Sequence, residues 1–220
     1  EHPDTIVSMN NLAEVYRDQG RYTAAERLNT QVFEIWRRVL GPEHPSTLAS
    51  MHNLASLYQN QGRYAEAGPL YNQTLEARRR VLGPEHPDTL DSMNNLALAY
   101  GDVGQYDKAL PLHKQTLELR RKVLGPEHLD TLASMNNLAV AYGGAGQYHD
   151  AVALLEHTVE RARETLGPEH PDTLSFANNL ANACLDVGQF DRALELHQQT
   201  LELTRKMRGP EHPVTLTSMC

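Results

Sequence analysis

The sequence predicts an all-α solenoid built from one helical hairpin repeated, and three observations carry that expectation. The segment Leu-Gly-Pro-Glu-His at Leu40 to His44 returns at Leu82, Leu124 and Leu166, with a near copy from Arg208. The glycines of these segments, Gly41, Gly83, Gly125, Gly167 and Gly209, are spaced by 42 residues each time, without insertion or deletion. Within each period the apolar residues form two runs at helical spacing, parted by a glycine. A strict period of roughly 20 to 50 residues marks a solenoid, in which each unit buries its apolar face against its neighbours. The repeats are 1–42, 43–84, 85–126, 127–168 and 169–210, with a partial sixth at 211–220, all in one solenoid domain.

The third repeat shows why each element forms. Leu90, Met93, Leu96, Ala97 and Tyr100 fall on one face of a first helix, helix A. Pro87 suits a first turn, and Asp88 complements the positive N-terminal end. Gly104 and Gln105 break the pattern, which resumes at Tyr106, Ala109, Leu112, Thr116, Leu117, Leu119, Val123 and Leu124 as a longer second helix, helix B. Arg120, Arg121 and Lys122 match the negative C-terminal end before Gly125-Pro126 stops the helix. The pairs Glu34 with Arg38, Glu76 with Arg80, Glu118 with Lys122 and Glu202 with Lys206 are spaced for exposed ion pairs worth ~0.3 to 0.5 kcal/mol each.

The same pattern reads through every copy, with local departures. Leu129 replaces the helix-opening proline of Pro3, Pro45, Pro87, Pro171 and Pro213, and the fifth repeat has Phe176, Ala177, Cys184 and Phe190 where others have Ser, Met, Tyr and Tyr. Pro69 and Pro111 fall inside helix B of repeats two and three, where a lost hydrogen bond normally costs ~3 kcal/mol. A place near the first turns, on the solvent side, lessens that cost.

Composition narrows the function. A formal net charge of −8 disfavours the phosphate-neutralising contacts of nucleic-acid binding. No apolar run approaches the ~20 positions needed to cross a bilayer, and no signal-peptide pattern opens the chain, so a soluble, cytoplasmic protein is expected. The two cysteines, Cys184 and Cys220, make no disulfide framework, and Cys184 holds a core tyrosine position. Asn72-Gln73-Thr74 matches a glycosylation acceptor but falls in mid-helix.

Chemistry is not visible. There is no phosphate-cradling loop, nucleophile elbow or His-Glu-x-x-His spacing, so no enzyme and no cofactor is expected. His2, His44, His86, His128, His170 and His212 recur at one connector position. One repeat apart, they are too distant to share a metal, and their expected work is to satisfy helix ends.

The candidate binding residues lie on helix A. Asn10 and Asn11, His52 and Asn53, Asn94 and Asn95, Asn136 and Asn137, and Asn178 and Asn179 recur opposite the core stripe. At 100° per residue, stacking aligns them along one exposed wall, where amides offer donors and acceptors to a peptide backbone. The column Asn11, Asn53, Asn95, Asn137 and Asn179 serves inter-repeat structure or ligand contact equally, while the column of Asn10, His52, Asn94, Asn136 and Asn178 is expected to be freer. Three further rows vary between repeats: Val7, Ala49, Asp91, Ala133 and Ser175; then Glu14, Ser56, Leu98, Val140 and Asn182; then Arg17, Gln59, Gly101, Gly143 and Leu185. Leu98 and Val140 beside Gly101, Gly143 and Gly144 offer either an apolar depression for one anchoring side chain or a loosened helix end.

The succession Asn95-Leu96-Ala97, Tyr100, Gly104, Tyr106 and Ala109, copied in every repeat, resembles the tetratricopeptide repeat, which has about 34 residues per helical pair. The longer unit, opening His-Pro-Asp-Thr-Leu and joined by Leu-Gly-Pro-Glu-His, is similar to the kinesin-light-chain subtype. That resemblance implies a right-handed superhelical solenoid binding a protein or peptide in the concave helix A groove. It also implies two settings for such arrays, motor adaptors and the sensor arms of nucleotide-binding signalling proteins of fungi and bacteria. Kinesin-light-chain grooves accept acidic peptides through basic side chains, whereas the matching rows here hold only Arg17 as a base. A neutral or basic partner segment is therefore expected. The alternative is a structural or self-associating arm. The chain starts in mid-connector and stops within a sixth helix A, which suggests a fragment of a larger protein or end-to-end pairing.

Overall fold

A computed structural model describes residues 2–208, except for the side chains of Pro3 and Arg208. The partial sixth repeat at 211–220, with His212, Pro213 and Cys220, lies outside the described residues. Among those described there are ten helices and no strand: α1 (Pro3–Asp18), α2 (Tyr22–Leu40), α3 (Pro45–Asn60), α4 (Tyr64–Val81), α5 (Pro87–Asp102), α6 (Tyr106–Leu124), α7 (Leu129–Gly144), α8 (Tyr148–Thr165), α9 (Pro171–Asp186) and α10 (Phe190–Arg208). The odd-numbered helices are the A helices of successive repeats and the even-numbered ones the B helices. The chain gathers into two compact units, Glu1–Gln105 and Tyr106–Cys220. In the first, α1 packs on α2, α2 on α3, α3 on α4 and α4 on α5; in the second the same succession runs from α6 to α10.

The connector histidines start every A helix. In His2, His44, His86, His128 and His170, Nδ1 accepts the backbone N–H two residues on, at 3.2 to 3.3 Å. One of the four orphan donors at each helix start is thereby satisfied. His128 keeps the arrangement, with φ −65 and ψ 142, although Leu129 follows it in place of proline. The cap rather than the proline thus sets the start. A threonine three residues later fastens the connector: Thr47, Thr89 and Thr131 donate from Oγ1 to the carbonyls of Gly41, Gly83 and Gly125 at 2.8 to 2.9 Å. In the last described connector Thr173 turns instead to Ala162 O, at 3.3 Å.

Each A helix ends in a glycine turn. Gly62 N–H donates to Gln59 O at 2.8 Å and Arg63 N–H to Tyr58 O at 2.9 Å, the two bonds that close a helix through a left-handed residue. Gly62 has φ +71, a conformation that glycine adopts without strain. The chain then reverses into the B helix within a few residues.

The core is lined by small residues. Ala13, Ala55 and Ala97 on the A helices of the first unit, and Ala25 and Ala67 on its B helices, are no more than 1 % exposed. In the second unit Ala139, Ala181, Ala109, Ala151 and Ala193 repeat this, again at 1 % or less. Larger side chains fill the remaining space: Leu132, Met135, Leu138, Leu155 and Val159 with Phe176 and Leu180 in the second unit, and Leu48 and Met51 with Ala77 in the first. Cys184 is buried in this core as a free thiol. Thr74 is fully buried, so the acceptor pattern at Asn72 has no accessible hydroxyl.

Helices α4 and α6 run through Pro69 and Pro111, both exposed. The carbonyls these prolines leave unbonded belong to Ala65 and Asp107, themselves exposed, so water replaces the lost partner. Two buried arginines tie a B helix to the next A helix. Arg78 Nη1 donates to Asp88 O at 2.9 Å and Ser92 Oγ at 2.8 Å, and Arg120 Nη1 does the same to Asp130 O at 3.1 Å and Ser134 Oγ at 2.9 Å. Surface ion pairs depart from the spacing expected along single helices. Arg80 turns to Glu43, and Lys206 to Glu169 at 2.6 Å, because the connector brings a carboxylate closer than the helix's own preceding turn does.

Because the alanine columns have no room for growth, Ala139→Leu is expected to destabilise the fold by about 1 to 3 kcal/mol. A urea unfolding midpoint lowered against the parent chain checks this. An unchanged midpoint would mean that the α7 contact is loose.

Candidate functional site

The A helices present the asparagines at half-buried positions, and the two units are described in turn. In the first unit Asn10, His52, Asn53, Asn94 and Asn95 are half-buried and Asn11 is exposed. Asn95 Nδ2 lies 2.9 Å from His52 Nε2, a bond from α5 back to α3. Asn94 Nδ2 donates to Asn95 Oδ1 at 3.4 Å. In the second unit Asn136 is buried at 8 % exposure, and Asn137, Asn178 and Asn179 are half-buried. Here Asn179 Nδ2 donates to Asn136 Oδ1 at 2.8 Å, joining α9 to α7, and Asn136 Nδ2 to Asn137 Oδ1 at 3.5 Å.

The same rule operates in both units: a residue of the second asparagine column bonds a residue of the first column 43 positions earlier. The first column, expected to be the freer, therefore supplies partners to the next repeat. Its spare capacity lies in Asn10 Oδ1 and His52 Nδ1 in the first unit and Asn178 Oδ1 in the second, which are buried without a hydrogen-bond partner among the described residues.

The variable rows are more open. In the first unit Val7 is 52 % exposed, Asp91 is exposed, and Leu98, Gly101 and Arg17 are half-buried. Arg17 Nη2 is paired with Asp18 Oδ1 at 3.0 Å, which offsets the one base of these rows. In the second unit Val140 is 50 % exposed and Leu185 43 %, with Asn182 exposed beside them. The two adjacent glycines of α7 behave differently. A Cβ on Gly143 would meet only the Ala151 Cβ at 4.0 Å, ordinary contact. A Cβ on Gly144 would collide with the hydroxyl and ring carbons of Tyr106. The space beside Gly144 is thus filled by a tyrosine from α6, whereas the space over Gly143 is open.

Sequence reasoning did not find a polar chain across the first unit. Tyr71 OH donates to Gln59 Oε1 at 2.8 Å, and Gln59 Nε2 donates to Asp102 Oδ2 at 2.6 Å. The Tyr71 ring also meets the His52 ring edge-on, with centroids 5.4 Å apart. Tyr71 stands where the other repeats have Asn29, His113, Leu155 and His197, and that irregular column was the available signal. Among the described residues no three side chains of the metal-ligating types gather to hold an ion, and no helix is long and apolar enough to cross a membrane.

Two shielded imidazoles, the half-buried His52 and the buried His113, are expected to make the fold respond to pH. Burial, with the Arg78 charge adding to it, pushes His52 down to about 4, and burial pushes His113 down to about 4. Both lie below the ~6.5 of an unfolded chain, so between these values the unfolded state binds more protons. Their stabilising contribution is complete above about pH 6.5 and is lost as pH falls toward 4. The melting temperature should therefore decline across that window. His113→Leu, which installs the residue found at Leu155, should flatten the decline.

The glycine pair gives a second test. Gly143→Ala should raise stability by up to ~1 kcal/mol through helix propensity, while Gly144→Ala should lower it by displacing Tyr106. Thermal melts of the two variants with the same sign of change would refute the contrast.

Comparisons with known proteins agree with this architecture. The tetratricopeptide repeat model matches residues 4–67, 49–122, 95–164, 143–206 and 172–220. Among solved structures, nearly identical TPR-like repeats assigned to a kinesin light chain of Podospora anserina are 39% identical, over 94% of this chain and 99% of that one, with TM-score 0.79. A singly substituted form of that array is 38% identical over 94% of this chain and 98% of that one, with TM-score 0.81. The BtubC (BKLC) protein of P. vanneervenii shares the fold at 21% identity and TM-score 0.77, over 93% of this chain and 81% of that one. A Rap protein complexed with Competence and Sporulation Factor shares it at 15% identity and TM-score 0.77, over 95% of this chain and 56% of that one. A search of curated proteins finds no match. Tetratricopeptide repeats generally mediate protein–protein interactions, and the chain belongs to this family, as an array of 42-residue repeats of the kinesin-light-chain type.

Proposed function

We propose that the chain is a noncatalytic scaffold that binds an extended protein or peptide segment along the exposed faces of its A helices, and that this segment is neutral to basic. The observation that carries the reading is the charge of those helices. In the first unit they hold Asp4, Glu14, Asp18, Asp88, Asp91 and Asp102 against Arg17 alone. In the second they hold Asp130, Asp172 and Asp186 and no lysine or arginine. The acids of the first turns, Asp4, Asp88, Asp130 and Asp172, complement the helix dipole. Asp102 and Asp186 do the opposite, sitting at C-terminal ends with no basic residue in the last turn. Carboxylates placed against the dipole favour a cationic partner.

The amides suit an extended backbone. An unpartnered buried acceptor such as Asn10 Oδ1 costs about 1 to 3 kcal/mol, and turning to a ligand N–H would recover part of that. Val140 and the open space over Gly143 offer one apolar anchor in the second unit. The Rap protein supplies an analogy at the level of fold alone.

Selection of a displayed peptide library on the chain tests the reading, run beside a variant carrying Asp91→Lys and Gly143→Trp. Enriched peptides with an excess of Lys and Arg, lost on the variant, are expected. Enrichment of acidic peptides through the same face would overturn the charge assignment.

A further inference from the structure

Within each unit the bonded pairs of A helices keep one offset, which fixes the residues that stand side by side. In the first unit Asn95 meets His52, and two turns further on Asp102 Oδ2 accepts from Gln59 Nε2 at 2.6 Å; both pairs are 43 residues apart. In the second unit Asn179 meets Asn136 at the same offset, so two turns on Asp186 stands beside Gly143. The two acids find different neighbours. Gln59 is held by the Tyr71 hydroxyl at 2.8 Å and gives its amide to Asp102. In repeat four Gly143 replaces Gln59, and the buried Leu155, which has no hydroxyl, replaces Tyr71. The second unit has the acid without either partner.

Asp186 is exposed, and among the described residues no hydrogen bond or ion pair reaches its carboxylate. It closes α9, whose last turn holds no base, so the helix dipole opposes its charge. No basic side chain of the unit compensates it. α7 and α9 carry no lysine or arginine, Arg192 in the first turn of α10 is taken up by Glu156, and Lys114 lies over the Tyr142 ring. The surfaces beside the carboxylate are open. Val140, one turn before Gly143, is 50 % exposed, and Leu185, next to Asp186, is 43 % exposed. A Cβ on Gly143 would meet nothing nearer than the Ala151 Cβ at 4.0 Å.

We propose that this notch takes a lysine or arginine side chain of the bound segment. Its charged head meets Asp186, in the place that Gln59 fills beside Asp102, and its aliphatic stem lies on Val140 and Leu185. A long cationic side chain supplies both parts, a charge for the lone carboxylate and an apolar stem for the exposed aliphatic surface. The assignment rests on the reading of the A helices as the binding face, and it gives the basic preference of that face one position.

The test is a titration of the chain with butylguanidinium chloride, followed by amide chemical shifts, with methylguanidinium and butanol as probes that lack the stem or the charge. Butylguanidinium should give saturable shifts centred on Val140, Gly143 and residues 182–186, and each control should bind roughly threefold or more weakly. Gly143→Gln installs the residue of repeat two and is a better helix former than glycine, so it keeps the fold while donating to Asp186 and filling the notch. It should abolish the shifts, and Asp186→Asn should weaken binding about fivefold at low salt. In selection from a peptide library the parent chain should enrich one basic position that both variants lose. The proposal fails if butylguanidinium does not saturate at these residues, or if Gly143→Gln binds it as the parent does. Enriched peptides whose basic residues are indifferent to Asp186→Asn would overturn this assignment and leave the binding face standing. Saturation by butylguanidinium with no peptide enriched would support the notch and sink the peptide reading.

Discussion

The close approach of A and B helices over alanine governs everything else in the structure. Small residues at ten buried positions, Ala13 through Ala193, let backbones come near enough for the larger leucines and methionines to interlock around them. Because each repeat has the same length, every hairpin within a unit offers its successor the same surface. The connector histidine and threonine then act as local fasteners: they do not drive association, but they fix where each A helix begins. That start sets the register of every residue further along the helix, including those that face outward.

Register explains the asparagines. Their side chains are neither fully committed to the fold nor fully presented to solvent. Asn95 with His52 in the first unit, and Asn179 with Asn136 in the second, form inter-helix bonds on half-buried surface, where competition from water is reduced. A bond of this kind contributes about 1 kcal/mol, too little to hold the repeats together against the apolar burial around it. It is enough to orient an amide. The physical role consistent with that magnitude is to hold donors and acceptors in fixed directions at little entropic cost on binding. An amide held in this way can bond the next helix and still direct its remaining donors and acceptors outward.

The hairpin repeat, the histidine caps, the glycine turns and the buried Cys184 were legible in the sequence because each depends on residues close together in the chain. What escaped depended on contacts between repeats. Nothing local in Tyr106 says that its ring will fill the space beside Gly144, and nothing local in Arg80 or Lys206 says that each will reach a connector glutamate rather than the acid one turn back. The 43-residue step between His52 and Asn95 differs by one from the repeat length, so reading down aligned columns hides it. The outward rows were legible as variable positions, but their exposure, from a half-buried Leu98 to a half-exposed Val140, follows from packing that spacing does not give.

In a chain this regular, information about partners resides in departures from the period. A residue shared by every repeat is explained by the demands of stacking, which are the same at each step. A residue found in one repeat has either a local packing reason, as the buried Phe176 and Cys184 have, or a reason that stacking does not supply. Asp91 is one departure, in the row where others carry Val7, Ala49, Ala133 and Ser175, and its charge acts on the buried Arg78 that ties α4 to α5. Arg161 is another, and it costs an aliphatic contact that Ile35 and Ala77 show to be available. The first lies on an A helix beside the asparagines and acts on the buried Arg78; the second lies on a B helix between Glu127 and Glu164, which take up its charge. Departures from the period thus carry information about partners only after the charges around them have been counted.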